Sequence, residues 1–205
     1  MSTFTVSSRF LIAGLGNVGE EYTETRHNIG FKIVEALAED AGVLFVSGRL
    51  AAHCSYRWKG KSLHLIKPST FMNLSGKAVK YWMDKLEIPN ANLLVIVDDI
   101  ALPFGTLRIR PRGSDGGHNG LTSIQESLGT MDYPRMRFGV EGNFAKGRQV
   151  NYVLGKWNEE ERKFLPEKIR NAADVIKSFV SIGLERTMNI YNTTGKEDPK
   201  PGDTG

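Results

Sequence analysis

Two short apolar runs constrain this chain more than any other feature: FLIAGL at residues 10–15 and LLVIV at residues 93–97. Neither run alternates with polar residues. A strand that is apolar at every position has to be covered on both faces, as in sheets sandwiched between helices. The covering helices are legible too. Phe31, Val34, Leu37, Ala38 and Ala41 recur at helical spacing after Asn28, and Gly42 supplies a stop. A second helix is expected over residues 75–86, with Val79, Trp82, Met83 and Leu86 inward, and a third over residues 121–128, stopped by Gly129. Residues 159–183 read as a long amphipathic helix carrying Phe164, Ile169, Ala172, Ala173, Ile176, Phe179 and Val180 on its apolar stripe; a last helical segment reaches Tyr191.

Residues 52–58 and 62–67 form an expected hairpin around Lys59-Gly60-Lys61, residues 106–110 and 135–141 read as further strands, and residues 143–156 as a long loop or short helix. Strands alternating with helices imply an α/β fold: a single three-layer α/β/α domain around a central mixed, mostly parallel twisted sheet. The expected domain spans residues 9–193, between a flexible tail at 1–8 and a disordered tail at 194–205.

Composition narrows the class. A length of 205 residues suits one domain. No apolar run is long enough to span a membrane, and the start MSTFTVSSRF is unlike a signal peptide, so a cytoplasmic location is expected. Cys54 is the sole cysteine, which rules out an intramolecular disulfide and a zinc site of paired cysteines. The formal charge of +4 is mild, but Arg108, Arg110, Arg112, Arg135, Arg137, Lys146 and Arg148 gather in the middle third, the candidate surface for an anionic partner.

Residues 14–19, GLGNVG, match the dinucleotide pattern G-x-G-x-x-G after a strand. The mechanism behind that pattern needs a helix starting within the glycines, its N–H groups facing a pyrophosphate. Here Glu20, Glu21 and Glu24 follow instead, and carboxylates repel phosphate. A hydrolytic reading fits better. Asn17 follows one apolar strand, Asp98 the other, and His118-Asn119 the basic strand and its glycines; ligands gather outside the carboxyl ends of such strands. Each residue has a simpler reading as a turn former or helix cap, Asn73 before the second helix included. Jointly with His27 they offer a reaction. A histidine accepts a proton near neutrality, a carboxylate on its other nitrogen fixes the tautomer, and amides donate to an oxyanion. With no G-x-S-x-G elbow and Cys54 inside the hairpin, water activated by His27 is the simplest nucleophile. No metal-ligand spacing is visible, so no metal is expected. Arg108, Arg110 and Arg112 alternate along an extended chain and would share a face suited to phosphates.

With these residues assembled, the chain resembles the bacterial-type peptidyl-tRNA hydrolases. The motifs GLGNVGEEYTETRHNIG, KPSTFMNLSGKAV, VDDIALPFGTLRIR and GSDGGHNGL carry the resemblance, RMRFGV and VNYVLGKW extend it, and together they cover residues 10–191. The resemblance implies cleavage of the ester between a peptide and the 3′ end of tRNA. It implies catalysis by His27 oriented by Asp98, with Asn17 at the strand end. It places Asn73 and Asn119 against peptide and tRNA terminus, Tyr22, Phe71 and Met72 in the groove for peptide and 3′-adenosine, and His118 on a gate loop. It implies tRNA phosphate contacts at Arg110 and Arg137 with Arg108 beside them, and a lid over residues 150–154. It further implies a monomer that works without metal or organic cofactor, with peptidyl-tRNA (acceptor stem and 3′ CCA end) as partner and no membrane. Val18 stands where the family usually has proline, Val97 where some members carry histidine, and Asp115 adds negative charge to the glycine loop. A plant-organelle relative with the same fold serves RNA splicing without hydrolysis, so a non-catalytic RNA-binding scaffold is the second expectation.

Overall fold

The computed structural model describes residues 8–142, 144 and 147–192. The tails expected at residues 1–8 and 194–205 therefore lie outside the described residues, apart from Ser8. Seven strands form one sheet in the order β2-β3-β4-β1-β5-β7-β6. They are β1 (Arg9–Gly14), β2 (Val46–Ser47), β3 (Ala51–Trp58), β4 (Lys61–Pro68), β5 (Leu93–Asp99), β6 (Leu107–Arg110) and β7 (Arg135–Gly139). The fully apolar runs lie at the sheet's middle. There β1 pairs in parallel with β4 and β5, and β5 with β7. The flanking pairs β2–β3, β3–β4 and β6–β7 are antiparallel. The sheet is thus mixed, with its parallel pairs in the centre. Lys59 and Gly60, both at positive φ, make the two-residue turn between β3 and β4.

The helices are α1 (Ile29–Asp40), α2 (Ser75–Leu86), α3 (Asn119–Leu128), α4 (Gln149–Val153), α5 (Glu159–Ile182) and α6 (Leu184–Tyr191). Side-chain alternation splits the core in two. Phe10, Ile12, Leu94 and Ile96 face α1 and α5, whereas Leu11, Ala13, Leu93 and Val95 face α2 and α3. That is the three-layer arrangement the sequence implies. The α5 stripe holds through Ala172, Ala173, Ile176, Phe179 and Val180 but departs from expectation at its start, where Leu165 is buried and Phe164 is 40% exposed. An aromatic at the edge of a stripe sits outward when its neighbour fills the core position. No helix among the described residues is long and apolar enough to cross a membrane.

Two features aim the sheet at a site. The carboxyl ends of β1, β4, β5 and β7 lie at one end, as parallel pairing requires. The glycines after β1 bring α1 against the strand: a Cβ on Gly14 would lie 2.2 Å from the Gly30 carbonyl oxygen, and one on Gly30 would lie 2.4 Å from the Leu15 nitrogen. Only Gly19 of the three loop glycines needs its positive φ, 125°. The loop therefore serves close helix–strand approach rather than a phosphate cradle.

Candidate active site

A cavity of about 220 Å³ opens at the carboxyl end of the sheet. Asn17, His27, Met72, Asp98, His118, Asn119 and Arg137 are all on its wall, so seven predicted residues from six separate chain segments meet there. Tyr22, Phe71, Asn73, Arg108 and Arg110 are not on that wall. Phe71 is 74% exposed beside Met72, and Asn73 is exposed without capping α2, whose N-cap is Leu74.

The polar network of the cavity centres on Asp98, buried at the end of β5. Its Oδ1 lies 2.8 Å from His27 Nδ1 and 3.1 Å from His118 Nε2. The protons can be assigned from the network. The Gly120 N–H donates to His118 Nδ1 at 3.1 Å, so the proton of a neutral His118 ring sits on Nε2 and points at Asp98. His118 is both the N-cap of α3 and a partner of the carboxylate, so one side chain fills the cap expected from sequence and also lies on the cavity wall. An ionised Asp98 only accepts, so His27 donates through Nδ1 and keeps its Nε2 lone pair. Among the described residues His27 Nε2 makes no hydrogen bond. Burial alone would raise the Asp98 carboxyl, but the two histidines more than offset it and hold Asp98 well below the usual carboxylate range. For His27, burial pulls the pKa down, and the charge and hydrogen bond of Asp98 lift it above the ordinary value.

The donor atoms of His27, Asp98 and His118 lie within 4.8 Å of one another, a cluster compact enough for an ion and invisible in sequence spacing. The hydrogen bonds give it another use. Two N–H groups converge on one carboxylate oxygen, and a cation there would have to displace both protons.

The neighbours of His27 are its anchors, and sequence reasoning missed both. Arg26, His27 and Asn28 form one short 3-10 turn. The Asn28 side chain is buried and clamps the backbone of Asn17: the Asn17 N–H donates to Asn28 Oδ1 at 2.9 Å, and Asn28 Nδ2 donates to the Asn17 carbonyl at 2.8 Å. Arg26 is buried in the opposite direction, against α4 and α5. A charged residue beside a polar triplet gives no sign in sequence that it points inward; its partner Glu161 is 135 residues away.

The basic cluster divides. Arg108 and Arg110 are exposed on the edge strand β6, without an acidic partner among the described residues. Arg112 lies beyond the strand rather than on its face, 3.9 Å from Asp132. Arg135 is buried and donates to the Gly113 and Met131 carbonyls at 2.6 and 2.7 Å, holding the glycine loop. Arg137 Nη1 lies 3.2 Å from Asp99 Oδ2, and its Nη2 donates to the Ser114 carbonyl at 2.9 Å. Asp115 accepts from the Gly117 N–H at 2.7 Å, so part of the charge it brings to this loop stabilises a turn.

Comparison with known proteins places the chain in a family. The family described as peptidyl-tRNA hydrolase matches residues 11–200. The chain is 56% identical over 184 residues to a peptidyl-tRNA hydrolase of Porphyromonas gingivalis, covering 90% of this chain and all of that one. Its identity to the corresponding protein of Phocaeicola vulgatus is 53%, over 90% and 98% of the two chains. The crystal structure of peptidyl-tRNA hydrolase from Acinetobacter baumannii superposes with a TM-score of 0.83 at 32% identity, covering 89% of this chain and 94% of that one. The family match, the relatives' identity and the fold agree, and the chain belongs to the peptidyl-tRNA hydrolase family.

Proposed function

We propose that this protein hydrolyses the ester linking a peptide, or an N-blocked aminoacyl group, to the 3′ end of tRNA. The observation that carries the reading is the His27 ring, held through Nδ1 by Asp98 with its Nε2 lone pair unengaged at a cavity that Asn17 and Asn119 also line. Water donates a proton to His27 Nε2 as its oxygen attacks the ester carbonyl. Asp98 stabilises the imidazolium that forms. Amide donors, Asn17 foremost, meet the oxyanion. Collapse breaks the bond to the tRNA 3′-oxygen, which takes the proton back from His27. The products are a peptide carboxylic acid, which gives up its proton to solvent, and a tRNA 3′-hydroxyl, and no covalent enzyme intermediate forms.

In this reading Met72, Phe71, Tyr22 and Asn73 make the outer groove for peptide and terminal adenosine, and Arg108, Arg110 and Arg137 meet phosphates of the acceptor stem. The enzyme acts as a cytoplasmic monomer and recycles tRNA from aborted translation.

The test is release of peptide from peptidyl-tRNA by wild type and His27→Ala side by side. Wild type is expected to turn over. The variant should lose roughly 10²–10⁴-fold in kcat, the usual share of a general base, while binding tRNA as before. An inactive wild type that still binds tRNA would establish the RNA-binding scaffold instead. Full activity in His27→Ala would refute the mechanism.

A further inference from the structure

We propose that Arg26 is a positioning residue that sets His27 and the α4 wall of the cavity as one unit, through a buried fork with Glu161. The proposal rests on the hydrolase reading and adds a part to it. Arg26 Nε donates to Glu161 Oε1 at 3.0 Å and Nη2 to Oε2 at 2.6 Å, with both side chains about nine-tenths buried. Glu161 is itself fixed. Its Oε2 accepts from the Asn158 N–H at 2.6 Å, while its own N–H donates to Asn158 Oδ1 at 2.8 Å, a capping box at the start of α5.

From this fixed point Arg26 holds two things. Its backbone N–H donates to the Gly155 carbonyl at 3.1 Å, next to the isolated bridge between Thr25 and Lys156. Its guanidinium donates through Nη1 to the Tyr152 carbonyl at 3.4 Å and lies 4.4 Å from the centre of the Tyr152 ring. Tyr152 belongs to α4, and its hydroxyl donates to the Val140 carbonyl at 2.7 Å, just after β7. Val150, Val153 and Leu154 from the same segment line the cavity. The next residue after Arg26 is His27. One guanidinium thus ties the base's turn, the cavity wall and the α5 cap, and a shift in any one is passed to the others. A bidentate, stacked site of this kind needs the planar fork of arginine, which lysine does not reproduce.

The experiment compares wild type with Glu161→Gln, Arg26→Lys and the milder Tyr152→Phe, each assayed well below its own melting temperature. Substrates are tRNA carrying one N-acetylated aminoacyl group and tRNA carrying a longer peptide. Glu161→Gln and Arg26→Lys are expected to lose about tenfold in kcat on both substrates, since small misplacement of a base is costly. KM should rise only for the longer peptide, on the proposal that its extra residues run along the α4 wall. The acid limb of the pH profile should stay in place, because Asp98 and not Arg26 sets it. Tyr152→Phe should raise KM for the longer peptide with a smaller loss in kcat. A role confined to holding the fold would lower melting temperatures and leave these constants unchanged; that result in Glu161→Gln and Tyr152→Phe overturns the proposal. An inactive wild type would overturn the hydrolase reading and this proposal together.

Discussion

Asp98 Oδ1 serves two histidines at once, and the sign of that coupling is measurable. In the proposed mechanism His27 has to be neutral at Nε2 to accept a proton, so activity should rise with pH along a limb set by its pKa. That limb is expected above the ordinary 6.5, because the lift from Asp98 exceeds the pull of burial. In Asp98→Asn the lift is removed and the burial stays. The limb should then move to lower pH while the plateau rate falls by roughly 10²–10⁴-fold, since nothing balances the imidazolium and the tautomer is no longer fixed. A pH–rate profile decides this, and a limb that stays put or moves upward would show that Asp98 does not act through His27. Stability follows the same linkage with opposite signs for the two groups. The raised His27 contributes stability below its unfolded pKa, lost as pH rises through the folded value. The depressed Asp98 contributes above about 3.8, its ordinary value, lost as pH falls toward the folded one.

At the scale of elements, the contact between β1 and α1 decides whether Asn17 and His27 share a cavity. Gly14→Ala would set a Cβ 2.2 Å from the Gly30 carbonyl oxygen and 2.9 Å from a Val34 methyl. Overpacking of this kind costs about 1–3 kcal/mol, or about 2–12 °C of melting temperature at this length. A thermal melt checks it; an unchanged midpoint would mean the helix is free to back away. The two apolar runs announced the central strands, and Lys59-Gly60 announced the hairpin, because burial on both faces and a tight turn each leave a local signature. The loop glycines were legible as a bend and ambiguous in purpose, since close packing and phosphate binding use the same residue. What was not legible is whatever depends on direction. Nothing local tells that Phe164 faces solvent and Leu165 the core, that Arg26 turns inward to Glu161, or that His118 comes within hydrogen-bond reach of the Asp98 oxygen held by His27. Sequence foresaw only that the two would share a mouth at the strand ends, and the resemblance only that His118 stands on a gate loop.

At the scale of the whole molecule the question is how a chain with a formal charge of only +4 would hold a polyanion. Distribution answers it. Arg108 and Arg110 stand exposed on the edge strand, whereas Arg135 and Arg137 are committed to the glycine loop and Asp99. The two pairs should therefore respond differently to substitution. Arg108→Ala and Arg110→Ala should raise KM and leave kcat nearly unchanged, because they remove attraction that ground state and transition state share. Each lost phosphate contact should reduce the slope of log affinity against log salt by about 1. The gap to wild type would then narrow as salt increases and counterions do the screening. Arg137→Ala should behave otherwise. It frees Asp99 Oδ2 at the cavity wall and leaves the Ser114 carbonyl only the longer bond from Arg135, 3.4 Å, so kcat should fall as well, and part of the deficit should persist at high salt. Steady-state kinetics at low and high salt separate these outcomes. A salt-independent loss in Arg110→Ala would make the edge strand a structural element and move the phosphate path elsewhere. A purely salt-sensitive KM effect in Arg137→Ala would show that its tie to Asp99 opens freely to the substrate.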